Sequence, residues 1–308
     1  MKAKDLIERF IDEMGWDGRP GLKQLQSSHL YCLRRLQKTA FGEKNALTLA
    51  DDDYVAHVRW RRQTVSAATA MHDITFWRGV VQYARSAWKD CKGLSLAPLV
   101  DAMPLLKKYN LVGKSTPRKR RPSAEEFDLL SKYLGERDGR AKIKMLPCLR
   151  FAVESTRRRG EICRLQWGDV DFAAHTYMIR DMKHPTKKMG NHKTFPLTET
   201  LADIIKAQPR LSNSPEERVF PYNPQSLGAA YTQAKKALGI KNLRFHDNRR
   251  EGISRLIEAG LPPHETRLIS GHDNTIILEK VYDVRDPAKL VGKLEALDKR
   301  RDSGVALW

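Results

Sequence analysis

FHDNRREGISRL, residues 245–256 of a 308-residue chain, places a histidine and an arginine three positions apart at the start of an amphipathic helix. Residues i and i+3 share a helix face, so His246 and Arg249 point the same way, and Asp247 reads as the helix cap. Working outward, the whole chain is basic: 56 Lys and Arg against 37 Asp and Glu give a formal net charge of +19. That balance selects a polyanionic partner, nucleic acid or an anionic membrane surface. Membrane insertion is not expected, because no apolar run approaches the roughly 18 residues that span a bilayer. The opening MKAKDLIERFIDEMG carries Leu6, Ile7, Phe10, Ile11 and Met14 at helical spacing among acids, which suits an amphipathic helix and not a signal peptide. A cytoplasmic protein is the expectation. Cys32, Cys91, Cys148 and Cys163 are scattered without CxxC pairs, so they read as reduced thiols, with no metal site and no disulfide framework.

A hydrophobic content of 41% supplies a core for one large or two ordinary domains. Residues 1–112 read as helices throughout, with Ser27 or Ser28 capping a stripe of Leu30, Leu33 and Leu36, and with Trp60, Trp77 and Trp88 beside arginines as core aromatics in preference to direct contacts with nucleic acid. Residues 113–123 form a basic linker: Lys114 to Arg121 holds five cations and no acid, and Pro117 and Pro122 oppose a continuous helix. Residues 124–308 follow. Ser123 and Glu126 have capping-box spacing, TYMIRDMK (176–183) and KTFPLT (193–198) read as two strands around the turn HPTKKMGNH, and helices return over ETLADIIKA, SLGAAYTQAKKALG, DNRREGISRLIEAG, PHETRLIS and TIILEKVYDV. The fold class is mainly α with a small antiparallel β-sheet.

Cations of the second half concentrate in STRRRGE (155–161), DMKHPTKKMGNHK (181–193), FHDNRR (245–250) and SGHD (270–273). Each lies at a helix start or turn, where side chains converge and backbone N–H groups are open to an anion. Tyr282 stands ten residues after His272. In this order the chain resembles the tyrosine recombinase family of phage integrases and their relatives, over about residues 124–290. VESTRRRGEICRLQWGDVDF is similar to the family's first box, where an arginine precedes a Glu by three residues: Arg158 before Glu161. FHDNRR gives His246 and Arg249 the His-x-x-Arg places, ISGHD supplies His272, and Tyr282 takes the nucleophile's place, one residue beyond the family's usual interval. Thr156 stands where a glycine is common. The family's hairpin lysine matches Lys183 counted from WGDVD and Lys188 counted from FPL; Lys183 is preferred, because a strand end is held more rigidly than a turn.

The resemblance implies a helical core-site DNA-binding domain and a catalytic domain closing as a C-shaped clamp on double-stranded DNA at specific recombination sites. It implies a homo-tetramer assembled on DNA, with accessory DNA-bending proteins as further partners; nucleoid association in a prokaryotic host goes with it. Leu290, Val291, Leu294 and Leu297 stand at helical spacing and read as a tail helix that packs on a neighbouring protomer or on its own domain. Arg158 and Arg249 would donate forked N–H groups to the nonbridging phosphate oxygens, His246 would take the proton of Tyr282, the lysine would protonate the departing 5′-oxygen, and His272 would hydrogen-bond the phosphate. The product is a 3′-phosphotyrosine, reached with no metal, cofactor or ATP, in integration or excision of a mobile element. Arg118, Lys119, Arg120 and Arg121 of the linker, with Arg157, Arg159 and Arg250, are expected to touch neighbouring DNA backbone. Glu161 reads as a structural ion-pair partner, and His184, His192 and His264 as surface residues of turns. The rival readings are relaxation of supercoils by a type IB topoisomerase and site binding by a regulator without catalysis.

Overall fold

The apolar stripes of the first hundred residues fold as the helices their spacing requires. A computed structural model describes residues 1–14, 25, 27–139, 141–182, 190–276, 278–279, 291–292 and 295. Its first compact unit, Met1–Pro117, contains α1 (Ala3–Glu13), α2 (Ser27–Gln37), α3 (Asp51–Arg62), α4 (Ala67–Ala87) and α5 (Ala97–Lys108). α1 buries Leu6, Ile7, Phe10 and Ile11. α4 buries Ile74, Trp77, Val80, Val81 and Ala84, and the Ser66 hydroxyl caps it by accepting the Thr69 N–H at 3.3 Å. Trp77 and Trp88 are core residues, and Trp77 donates its indole N–H to the Tyr54 hydroxyl at 2.9 Å. Trp60 departs from the expectation: it is 50% exposed, between Arg59 and Arg61 on α3.

One carboxylate lies inside this unit. Asp73 of α4, with 1% of its side chain exposed, bonds Arg35 of α2 and accepts from Arg61 Nε of α3 at 3.2 Å; His57 Nε2 of α3 is also at 3.2 Å. Burial works to raise this acid, and the hydrogen bond from His57 with the charges around it overcomes burial, so it stays ionised below the usual carboxylate range.

The second unit, Arg118–Trp308, begins inside the stretch read as a linker. Residues 113–123 carry no helix, but three of their arginines are held by carboxylates. Arg118 reaches Asp247 at 2.7 Å, Arg121 bonds Glu251 at 2.8 Å and Glu258 at 2.6 Å, and Arg120 bonds Glu126. Ser123 and Glu126 form the expected reciprocal cap of α6 (Ala124–Asp138), at 3.2 and 2.9 Å. α7 (Met145–Glu154) and the short α8 (Arg159–Ile162) precede a three-stranded antiparallel sheet of β1 (Val170–Asp171), β2 (Thr176–Ile179) and β3 (Lys193–Pro196), in that order. Tyr177 pairs with both Val170 and Phe195, and Tyr177, Ile179 and Phe195 face the core.

Two readings of the sheet need correction. β1 was not read as a strand, since two residues show no alternation. β2 stops at Ile179, short of the strand read to residue 183, because Asp181 adopts a left-handed backbone (φ 46°) and Arg180 turns to bond Asp169 at 2.6 Å. The remaining helices are α9 (Glu199–Lys206), α10 (Pro224–Ala237), α11 (Phe245–Glu258) and α12 (Pro263–Ser270). α11 crosses α7 at backbone contact: a Cβ added at Gly252 would collide with the Val153 carbonyl oxygen. Most of the helix expected over 275–284, and most of the tail helix, lie outside the described residues; Leu278 is buried against Ile253 and Ile257 of α11. Among the described residues, no helix is long and apolar enough to cross a membrane.

Candidate active site

The FHDNRREGISRL helix is set by its first residues. Arg244 is the N-cap of α11, and its N–H is accepted by the Asp247 carboxylate at 2.8 Å; the same carboxylate, 1% exposed, receives Arg118. With that end fixed, His246 and Arg249 project toward two segments, the loop 155–158 between α7 and α8, and 269–273 at the C-terminal end of α12. Arg249 is 2% exposed. It donates to the Thr156 carbonyl of the first loop and, at 2.9 Å, to the Ser270 carbonyl of the second. Both loops turn through left-handed residues, Thr156 (φ 56°) and Gly271 (φ 70°), which bring those carbonyls inward. At Gly271 a side chain would also meet Met182 and Phe195, so glycine is needed there for space as well as conformation.

Arg158 is the N-cap of α8 and half-buried. Glu161 accepts its backbone N–H at 2.9 Å and its guanidinium at 2.7 Å. The Glu161 side chain is only 3% exposed. Burial works to raise it, and the charges of Arg158, Arg157 and Arg249 prevail and hold it below its ordinary value. Glu161 is thus the ion-pair partner that its place in the motif suggested.

His272 stands against Arg249, with 3.4 Å between Nε2 and a guanidinium nitrogen, and its Nδ1 is 2.7 Å from the Ser270 hydroxyl. Arginine only donates, so Nε2 is the acceptor and Nδ1 carries the ring proton toward Ser270, whose hydroxyl reaches the Arg267 carbonyl. Burial, followed by Arg249, Arg158 and Arg157, lowers the His272 pKa to about 3. His246 is exposed at the mouth of a cleft, yet the surrounding protein, followed by Arg249, Arg250 and Arg158, lowers its pKa to about 4. Because its surface is open, the cationic share of that depression is what a bound anion would cancel. At neutral pH both rings are uncharged bases in a strongly positive setting.

The cleft, about 390 Å³, is lined by Arg158, Arg159, Gly160, Pro224, Arg244, Phe245 and His246. Its cations and flanking helix start suit a phosphate. Arg244 was not singled out from the sequence; its place two residues before His246, at the helix cap, is the signal that could have found it. Arg159 fits against α10 only because residue 228 is glycine, since a Cβ there would collide with the guanidinium.

The structure therefore gathers Arg158, His246, Arg249 and His272, and it sorts the residues expected to touch DNA backbone. Arg159 lines the cleft. Arg250 lies 3.9 Å from Asp247, and its Nε and one terminal nitrogen have no hydrogen-bond partner among the described residues. Lys119 is exposed. Arg118, Arg120 and Arg121 hold carboxylates, so each would have to exchange a carboxylate for a phosphate. Arg157 is corrected outright: it is 0% exposed and turns into the core, where no backbone phosphate can reach it. Lys183, Lys188 and Tyr282 lie outside the described residues. The ladder leading toward the two lysines continues to a bond from the Met182 N–H to the Asn191 carbonyl at 2.9 Å.

Comparison with known proteins agrees with this architecture. Residues 123–287 match the model of the Phage integrase family. A Haemophilus influenzae protein named "Putative integrase/recombinase" is 30% identical over 294 residues, covering 94% of this chain and 89% of its own length. The shufflon-specific DNA recombinase of Escherichia coli is 27% identical over 245 residues, covering 79% of this chain and 58% of its own. Among solved structures, the Tn1549 transposon integrase in complex with transposon right end DNA superposes with a TM-score of 0.70 at 15% identity, over 97% of this chain and 100% of that one. The lambda integrase tetramer bound to a Holliday junction gives 0.67 at 13% identity, over 93% and 78%.

Proposed function

Given that this chain belongs to the phage integrase family, the DNA breaking and rejoining enzymes also called tyrosine recombinases, we propose that it cuts and rejoins duplex DNA at specific sites through a 3′-phosphotyrosine at Tyr282. The observation that carries this reading is the lacing of two separate loops around Arg249, which sets its guanidinium against the neutral His272 ring while Arg158 and His246 line one cationic cleft.

A phosphodiester repels nucleophiles through its negative charge, and that charge grows as a fifth oxygen approaches phosphorus. Arg158 and Arg249 offer fixed N–H donors to the nonbridging oxygens and stabilise the growing charge. The arriving anion cancels part of the field that keeps His272 neutral; the ring then gains a proton at Nε2 and donates it to the phosphate. His246 accepts the phenolic proton as Tyr282 attacks, and Lys183, or Lys188 in its place, protonates the 5′-oxygen that leaves. The phosphotyrosine conserves the broken bond's energy, so a 5′-hydroxyl from a second strand reverses the step and completes an exchange. The structural neighbours bound to transposon-end DNA and to a Holliday junction support extending this to strand exchange by a tetramer, with integration or excision of a mobile element as the outcome.

The test is covalent trapping. Nicked duplexes that lose the 5′-hydroxyl strand after cleavage, tiled across the DNA flanking the protein's gene, are incubated with the full chain in EDTA. The reading expects an SDS-stable, protease-sensitive adduct that disappears in Tyr282→Phe. Site-specific binding without an adduct would point to a regulator, and relaxation of supercoils without joining of two sites would point to a topoisomerase.

A further inference from the structure

The three arginines of STRRRGE separate into different environments, and the first, Arg157, is the one the cleft does not use. Arg157 is wholly buried, with Nε donating to the Ser155 carbonyl at 2.9 Å and one terminal nitrogen donating to the Thr156 hydroxyl at 3.2 Å and to the Ile269 carbonyl. Its guanidinium lies 3.6 Å over the Phe195 ring of β3. Its other terminal nitrogen has no hydrogen-bond partner among the described residues, and no carboxylate there lies within ion-pair reach of it. Glu161 acts on Arg157 only at longer range while it bonds Arg158 directly; a cation buried with no carboxylate in contact is unfavourable, and an apolar side chain of similar size would fill the space without that burden. A role in the site accounts for its presence.

We propose that Arg157 is a positioning residue for the phosphate site: it ties loop 155–158 to loop 269–273 beneath the cleft, fixing His272 against Arg249, and adds a third positive charge under the bound phosphate. This rests on the reading that Arg158, Arg249 and His272 hold the scissile phosphate. Arg157 and Arg249 work as a pair. Each spans the same two loops, Arg157 through Thr156 Oγ1 and the Ile269 carbonyl, Arg249 through the Thr156 and Ser270 carbonyls. The charged groups facing His272 are Arg249 of α11, Arg158 and Arg157 of the first loop, and Asp273 beside it; Asp273 is itself held by Lys193 of β3 at 2.8 Å. Arg157 and Arg249 are both buried, so water screens neither charge where it acts on His272.

Two variants of the full chain separate its parts. Arg157→Met keeps volume and removes charge; Arg157→Lys keeps charge and cannot span both loops. The first readout is the titration of the His272 ring followed by NMR in the free protein. The second is single-turnover cleavage of the suicide duplex. Arg157→Met is expected to move the His272 midpoint upward by roughly one pH unit and to slow cleavage at least tenfold, with DNA affinity within twofold of the parent. Arg157→Lys is expected to leave the midpoint near the parent's and still slow cleavage at least tenfold. A folded Arg157→Met with unmoved titration and parental cleavage would overturn the proposal. Should that variant not fold, parental cleavage by Arg157→Lys overturns the anchoring. If the parent protein forms no adduct on any duplex, the functional reading fails, while the titration still decides whether Arg157 acts on His272.

Discussion

Glu161 is a buried carboxylate that pairs with Arg158 and is acted on by the charges of Arg157 and Arg249, and its burial makes that pairing strong. Replacing it with Gln leaves buried guanidinium charge uncompensated, so Glu161→Gln should lower stability by about 3 kcal/mol, the range for breaking a buried ion pair. Urea unfolding measures this, and a loss below about 1 kcal/mol would mean that water already screens the cluster. The histidines give a pH signature. His246 and His272 fall from an ordinary 6.5 to about 4 and about 3, so each binds its proton less readily folded than unfolded. Their contribution to stability is complete above pH 6.5, and it is lost as pH falls from there through the folded values. Urea midpoints of the second unit should drop between neutral pH and about pH 4.5, and the double variant His246→Asn, His272→Asn should show a shallower drop; an equal drop would sink this assignment. At this scale the sequence was legible wherever order along the chain marked a residue: Arg158, His246, Arg249 and His272 do converge. It was not legible for Arg157, because a run of three arginines has no periodicity to say which one turns inward. The left-handed residue at 156 makes that choice, and a threonine where glycine is common does not announce such a turn.

Among the elements, α7 and α11 form the pair on which the site depends, since α11 carries His246 and Arg249 and α7 leads into the arginine loop. Their contact is backbone to backbone at Gly252. Gly252→Ala should therefore push the helices apart, lowering stability by roughly 1–3 kcal/mol and reducing cleavage more than DNA binding; calorimetry with single-turnover cleavage tests it, and parental values for both would contradict the close packing. In the first unit, Asp73 joins α2, α3 and α4 through Arg35, His57 and Arg61. Asp73→Ala should cost about 3 kcal/mol, measured by chemical unfolding; a loss below about 1 kcal/mol would contradict the buried network. Long amphipathic elements were readable, and the Ser123 cap stands where spacing placed it; two other caps were misplaced, since Ser27 and Ser28 lie inside α2 and Asp247 is the third residue of α11, bonding back to the Arg244 N-cap. Short or interrupted elements were not readable. β1 has two residues, β2 is cut by the left-handed Asp181, and Trp60 faces outward on a helix whose charged neighbours hide its orientation.

For the whole molecule, a net charge of +19 makes counterion release the main contribution to affinity for DNA. Binding should weaken by roughly a thousandfold or more between about 50 and about 200 mM salt. Arg118, Arg120 and Arg121 should add little to that slope if they keep their carboxylates when DNA binds, so a slope unchanged in Arg120→Ala, measured by titration across salt, is the expected outcome. The proposed chemistry is narrower than affinity: it makes Tyr282 the nucleophile and leaves the scissile bond with a free 5′-hydroxyl. The direct measurement is peptide mapping of the trapped adduct by mass spectrometry, with the released strand offered to a kinase that phosphorylates only free 5′-hydroxyls. The account predicts a nucleotide joined through its 3′-phosphate to the peptide containing Tyr282, and a released strand that accepts label without prior phosphatase treatment. A nucleotide on any other residue, or a released strand that labels only after phosphatase, would contradict it.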